Sequence, residues 1–198
     1  MDKIRLGIIV GSTRPNRFAD HPAAWIADMA RAAGFDVDLL DLREISLPFF
    51  EETAPPVMAP PRHPIAQAWA LRLAKCDAFI ATAAEYNHAP TAVLKNAFDS
   101  AFAEWSRKPI AFVGYGGVGG ARAIAHLRDI ASALGMAPVS AGVNIQFVDY
   151  MAVAQGKETL ASLAHIVAAG QSLLVELGWW ARALRDGRTQ PKIDQSAA

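Results

Sequence analysis

Residues 4–20 read IRLGIIVGSTRPNRFAD, an apolar run that stops at Gly-Ser-Thr and passes, through two arginines three residues apart, into a segment with helical spacing. The run is continuous rather than alternating, which marks a strand buried on both faces. A strand that ends this way before a helix offers free backbone N–H groups and the positive end of a helix dipole, a place for an anion. Arg14 and Arg17 point to phosphate, while a polar loop with two solvated arginines is the alternative that these residues alone leave open.

The same grammar recurs. DVDLLDL (36–42), DAFIATA (77–83) and PIAFVGY (109–115) are apolar runs followed by turn signals, and APVSAGVNI (137–145) is a weaker fifth. Strands alternating with helical segments predict an α/β sandwich, a parallel sheet covered by helices. Helices are expected at about 21–33, 65–75, 91–106, 120–135 and 157–185, the first opened either by Asp20 as a cap with Pro22 in the first turn or nearer Pro15. In the third, Leu94, Ala97, Phe98, Ala101, Phe102 and Trp105 repeat on one face. In the last, Leu160, Leu163, Val167, Leu173, Leu174, Leu177 and Trp180 form a stripe longer than one sheet face needs, so a homodimer or homotetramer is expected. Residues 1–185 are read as one domain and 186–198 as a basic, partly mobile tail. Residues 45–65 carry six of the twelve prolines and are expected to be an irregular lid or binding loop.

Composition excludes several classes. The chain of 198 residues has 19 basic and 19 acidic side chains and zero formal net charge, so neither nucleic acid nor a membrane is expected as a partner. No apolar stretch approaches the ~20 residues that span a bilayer, no export signal is evident at the N-terminus, and a single cysteine, Cys76, fits a reducing compartment. A cytoplasmic protein is expected, with Cys76 acting as a small buried hydrophobe. His21, His63, His88, His126 and His165 show no metal-ligand spacing, so no metal site is expected. A nucleophile elbow G-x-S-x-G is absent.

Gly114–Gly119, GYGGVG, satisfies G-x-G-x-x-G literally but fails its context. A dinucleotide fingerprint belongs to the first βαβ unit and needs an acid ~20 residues on, where this chain reads APVSAGV. The glycines are read either as a tight βα turn or as a place where backbone approaches a flat ligand.

Residues 84–99, AEYNHAPTAVLKNAFD, resemble the P-E-Y-N-H-S-x-P-x-x-L-K-N-A-x-D segment of the NAD(P)H-dependent FMN reductases. With GSTR before it and YGGVGGARAIAHLRDIASALGMAPV after it, the resemblance covers residues 3–140 in order. It implies a flavodoxin-like, three-layer fold with a five-stranded parallel sheet in the order 2-1-3-4-5, helices on both faces, and bound FMN. By position it implies that Ser12, Arg14, Arg17 and Phe18 hold the FMN phosphate. Glu85, Tyr86 and Asn87 would lie along the isoalloxazine, with Tyr115, Gly116 and Gly117 on its other flank. NADPH or NADH is the implied co-substrate, and free flavin, a quinone, an azo compound or chromate the small-molecule acceptor, in a ping-pong reaction that needs no catalytic acid or base. Two departures from the family matter: in the first loop many relatives have Ser at the position of Arg17 and Asn at that of Ala19, and in the third loop Ala84 stands where Pro is usual. A non-enzymatic electron carrier and a flavin-free binding module on the same fold are the rival readings, separated from a reductase by turnover of NAD(P)H.

Overall fold

The computed structural model describes residues 3–190. The four apolar runs form β1 (Arg5–Val10), β2 (Asp36–Asp41), β3 (Ala78–Ala84) and β4 (Pro109–Tyr115), and the weaker fifth splits into β5 (Ala137–Pro138) and β6 (Val143–Ile145). All pair in parallel, in the order β2-β1-β3-β4-β5, with β6 also on β4. This is the order that the resemblance implies. The split has a local cause: partners advance from Ile110 to Val113 on β4 while they advance from Pro138 to Val143 on the edge, so the edge bulges. Arg128 donates to the freed carbonyls of Val139 and Ser140 at 2.6 and 3.0 Å, and Glu176 accepts the N–H groups of Ser140 and Ala141.

The helices are α1 (Asp20–Ala32), α2 (Leu42–Ile45), α3 (Pro64–Ala74), α4 (Ala92–Asp99), α5 (Ala121–Ala133), α6 (Phe147–Ala154) and α7 (Ala164–Thr189). Successive strand residues serve opposite faces. Leu6, Ile8, Ile80 and Val113 pack under α1 and α7, whereas Ile9, Phe79, Ala81 and Phe112 pack under α3, α4 and α5. Both faces of the sheet are therefore covered.

Local chemistry moves several boundaries. α4 ends at Asp99 rather than running to 106, because the Ser100 hydroxyl and N–H both return to the Asn96 carbonyl and Trp105 turns inward, donating to the Phe98 carbonyl. The expected helix 157–185 starts only at Ala164, since Thr159 and Ser162 exchange side-chain and backbone bonds across the preceding loop. α2 and α6 have no counterpart among the five expected helices. Asp20 does not cap α1: the N-cap is Ala19, and the Asp20 carboxylate pairs with Arg17. Helix α7 runs on through 186–189 of the expected tail, with Arg188 bonded to Asp77 and to the Arg107 carbonyl, while 191–198 lie outside the described residues.

The stripe on the last segment is mostly interior. Leu160, Leu173, Leu174 and Leu177 are buried in the chain's own core, leaving Val175 and Trp179 exposed on α7. The prolyl segment is held to α4 by Asn96, which donates to the Pro48 carbonyl and accepts from Phe50 N–H. It lines a cavity of about 490 Å³ that shares no lining residue with the cavity at the carboxyl ends of β1, β3 and β4.

Candidate functional site

β1 lies between β2 and β3, and the helices that follow β1 and β3 cover opposite faces. The chain thus diverges at the carboxyl end of β1, where open α/β sheets form their ligand crevice. Gly11 makes the approach possible: a Cβ there would stand 2.2 Å from the Thr82 carbonyl oxygen. Its N–H donates to Thr82 Oγ1 and its carbonyl accepts from Thr91 Oγ1, which also caps α4 at Leu94. From there to α1 the backbone N–H groups of Ser12, Thr13, Arg14, Asn16, Arg17 and Phe18 have no protein acceptor among the described residues. Unpaired N–H groups at a helix N-terminus are a cradle for an anion.

Ser12 is buried and its Oγ lies 3.2 Å from the Tyr86 hydroxyl. Arg14 is exposed, with its guanidinium 5.8 Å from the Tyr86 ring centroid. Arg17 behaves differently: it is buried against Asp41 and Asp20, and the hydrogen bond to Asp41 leads the causes that raise its pKa above the ordinary guanidinium value. The expected solvated or phosphate-directed arginine at 17 is turned to carboxylates.

Two further loops face this one. Tyr86 and Ala89 exchange backbone hydrogen bonds across Asn87 and His88, both at positive φ (50° and 69°), the pattern of a type I′ turn. The turn presents Tyr86 and leaves Asn87 outside the cavity lining. Glu85 has its carboxylate on the first turn of α5, accepting from Arg122 N–H at 3.0 Å and Nε at 2.6 Å. Burial disfavours its charge, but those bonds hold its pKa below the usual carboxylate value. Glu85 therefore contributes backbone to the crevice and braces the β4 loop with its side chain.

The glycines after β4 divide by role. A Cβ on Gly114 would meet the Gly119 carbonyl at 2.6 Å, and one on Gly120, at φ +73°, would meet Tyr115 N at 2.8 Å. These two serve the tight βα turn. Gly117 has open space beside it and lines the cavity, so there the missing side chain leaves room for a ligand.

The cavity holds about 330 Å³ and brings together every expected site residue except Asn87. It adds Asn16, Ala84, Phe147 and Tyr150. Phe18, Tyr115 and Tyr150 form one aromatic wall, with Phe18 5.2 Å from Tyr115 and 4.4 Å from Tyr150 between ring centroids, and Phe147 stacks on Tyr150 at 6.3 Å. Burial raises the Tyr115 hydroxyl's pKa well above the ordinary phenol value, with Tyr86 the next contributor, so Tyr115 stays neutral. Phe147 and Tyr150 escaped the sequence reading, although two aromatics three residues apart just beyond a strand's carboxyl end are the available signal. Among the described residues, no three His, Cys, Asp or Glu side chains cluster as a metal site would require.

The donor set fits FMN. Free N–H groups, the Ser12 hydroxyl and Arg14 suit a phosphate, and a slot between aromatic rings and a glycine ridge suits a flat ring system. The comparisons with known proteins agree. Over 134 residues, 65% of this chain and 66% of the relative, the sequence is 34% identical to an NAD(P)H-dependent FMN reductase of Schizosaccharomyces pombe, so the match spans just under two thirds of that relative's length. FerB, a flavoenzyme NAD(P)H:(acceptor) oxidoreductase of Paracoccus denitrificans, superposes with TM-score 0.65 at 20% identity over 92% of this chain and 98% of FerB. A flavodoxin of Pseudomonas aeruginosa superposes with TM-score 0.54 at 15% identity, covering 86% and 99%. With the family model for NADPH-dependent FMN reductase matching residues 4–149, the chain belongs to that family.

Proposed function

We propose that this protein is an FMN-dependent oxidoreductase that takes reducing equivalents from NADPH or NADH and passes them to a small-molecule acceptor. One observation carries the reading: a loop of unpaired N–H groups and an open glycine-aromatic slot line the same cavity. FMN, when bound, supplies the two-electron hydride chemistry that no side chain here provides. The protein's part is to bind and orient. Ser12, Arg14 and the loop N–H groups hold the phosphate, while Phe18, Tyr115, Tyr150 and Gly117 frame the ring. Tyr86 and Phe147 stand at the mouth, 37% and 54% exposed, where reductant and acceptor enter in turn. That shared mouth supports a ping-pong order.

The test is to load the protein with FMN, reduce it without oxygen by NADPH and by NADH, and then add free flavin, a quinone, an azo compound and chromate separately. Reoxidation by at least one acceptor, with parallel lines in the double-reciprocal kinetics, is expected. A protein that binds no FMN at micromolar concentration rules the reading out. Assembly as a homodimer or homotetramer is part of the same proposal, now supported by Val175 and Trp179, one turn apart and 75% and 58% exposed. Light scattering at rising protein concentration checks it, and a persistent monomer excludes it.

A further inference from the structure

Arg17 has a side chain only 3% exposed, at the back of the loop read above as the phosphate cradle. A guanidinium carries five N–H donors. Here Nε donates to Asp20, Nη1 to Asp41 Oδ1 at 2.7 Å and to the Ser12 carbonyl, and Nη2 contacts Asp41 Oδ2 at 2.5 Å and Asp20 at 2.6 Å. Every donor is engaged by protein. None is left for a phosphate oxygen.

These contacts have a common effect on the loop. The Ser12 carbonyl, tied to Arg17, is kept from facing an anion, and because the peptide is planar the Thr13 N–H is fixed with it. Asp41 continues the network: it accepts from Arg43 N–H at 2.9 Å, and Arg43 Nη2 donates to the Arg14 carbonyl at 2.6 Å. Two loop carbonyls are thus tied down by cations while the loop's N–H groups stay unpaired. Arg17 also offsets Asp20 and Asp41, two carboxylates that would otherwise repel a phosphate dianion.

We infer that Arg17 is a positioning residue: it sets the phosphate loop's peptide orientation through Ser12 and neutralises Asp41 and Asp20, without touching the phosphate. The inference rests on the reading of this loop as a phosphate site. It departs from what the family resemblance implies, in which Arg17 itself holds the phosphate beside Arg14.

The experiment titrates FMN and riboflavin, by quenching of flavin fluorescence in phosphate-free buffer, into the wild type and into Arg17→Lys, Arg17→Ala, Asp41→Ala and the Arg17→Ala/Asp41→Ala pair. A lysine keeps the charge but cannot fork to two carboxylates and a carbonyl, so Arg17→Lys is expected to lose FMN affinity about tenfold or more, with riboflavin changed less than about threefold. Arg17→Ala should lose more, and removal of Asp41 should restore part of the loss, a non-additive pair. Wild-type FMN affinity in Arg17→Lys, or strictly multiplicative effects at 17 and 41, overturns the inference, since the first means that the fork to Asp41 and the Ser12 carbonyl is not needed and the second that Arg17 does not act through Asp41. If Arg17→Ala does not fold by circular dichroism, Arg17→Lys decides alone. A wild type that fails to prefer FMN over riboflavin marks the failure of the phosphate reading itself.

Discussion

The Tyr86 hydroxyl and Ser12 Oγ lie 3.2 Å apart, joining the β3 loop to the phosphate loop across the cavity. The type I′ turn at Asn87–His88 aims Tyr86 at this point, and Gly11 sets Ser12 at the end of β1. A phosphate that bonds Ser12 meets the Tyr86 hydroxyl as well. Tyr86→Phe is therefore expected to weaken FMN binding by ~1.5–3 kcal/mol, the range for a hydrogen bond to a charged group, and to leave riboflavin unchanged. Paired titrations with the two flavins check this, and equal losses would place the hydroxyl against the ring instead.

Arg14 is the arginine of this loop whose guanidinium is not held by a carboxylate. Arg14→Ala should cost FMN binding ~1.5–3 kcal/mol at low salt and barely affect riboflavin. Because Arg14 is exposed, raising the ionic strength should narrow the gap between the wild type and the variant. A salt-independent difference would show that the arginine shapes the loop rather than meeting the charge.

Phe147 stands at the cavity mouth on α6, stacked on Tyr150. Its loss should act on the ligand that comes and goes. For Phe147→Ala, kcat/KM with a planar aromatic acceptor is expected to fall by about 1 kcal/mol, roughly fivefold, with FMN affinity nearly constant. Steady-state kinetics beside an FMN titration separate the two effects, and a fall confined to FMN affinity contradicts the assignment.

The α/β layering and three of the five expected helices are legible in the sequence because apolar runs and βα alternation are local signals, whereas the strand order, which pairs residues far apart in sequence, comes from the family resemblance. Two further things are not legible. The breaks at Ser100 and in 156–163 arise from single hydroxyls bonding back to the backbone, which an apolar periodicity running through Trp105 and Leu160 conceals. Arg17 is the second case. Its partner Asp41 is distant in sequence and reaches it only because β2 pairs alongside β1, so residue type suggests phosphate while the tertiary neighbour redirects the side chain. Phe18, Tyr115 and Gly117 come from the family resemblance, and all three line the crevice because they lie at a strand's carboxyl end or just before a helix.

Cys76 is 1% exposed, and burial, followed by Asp38, pushes its thiol up to about 11. The native thiol should resist iodoacetamide at pH 8 and react only as the chain unfolds. The folded pKa lies above the unfolded value near 9.0, so the native state holds this proton more tightly. Its contribution to stability is complete below pH 9 and is lost as pH rises toward 11. Lys108, lowered to about 8 by burial, works in the opposite sense between pH 8 and 10.5. Comparing urea denaturation of the wild type and Cys76→Ala isolates the thiol: the wild type's advantage should shrink from pH 9 upward, and a constant difference refutes the burial account.

Two glycines of the 114–119 stretch should fail in different ways. At Gly114 a methyl would stand 2.6 Å from the Gly119 carbonyl and 2.7 Å from Ile124 Cδ1, so Gly114→Ala forces backbone and core to shift and should destabilise the fold by ~1–3 kcal/mol. At Gly117 a methyl meets no atom within 4 Å, and the backbone is not in the left-handed region, so Gly117→Ala should leave the unfolding midpoint nearly unchanged. The same methyl projects into the cavity where a flat ring is to lie. Gly117→Ala should accordingly weaken FMN and riboflavin alike, unlike Tyr86→Phe and Arg14→Ala, which spare riboflavin. Urea denaturation and the two flavin titrations on both variants give four numbers. Normal flavin binding by Gly117→Ala would mean that the open space beside Gly117 is not where the ring lies.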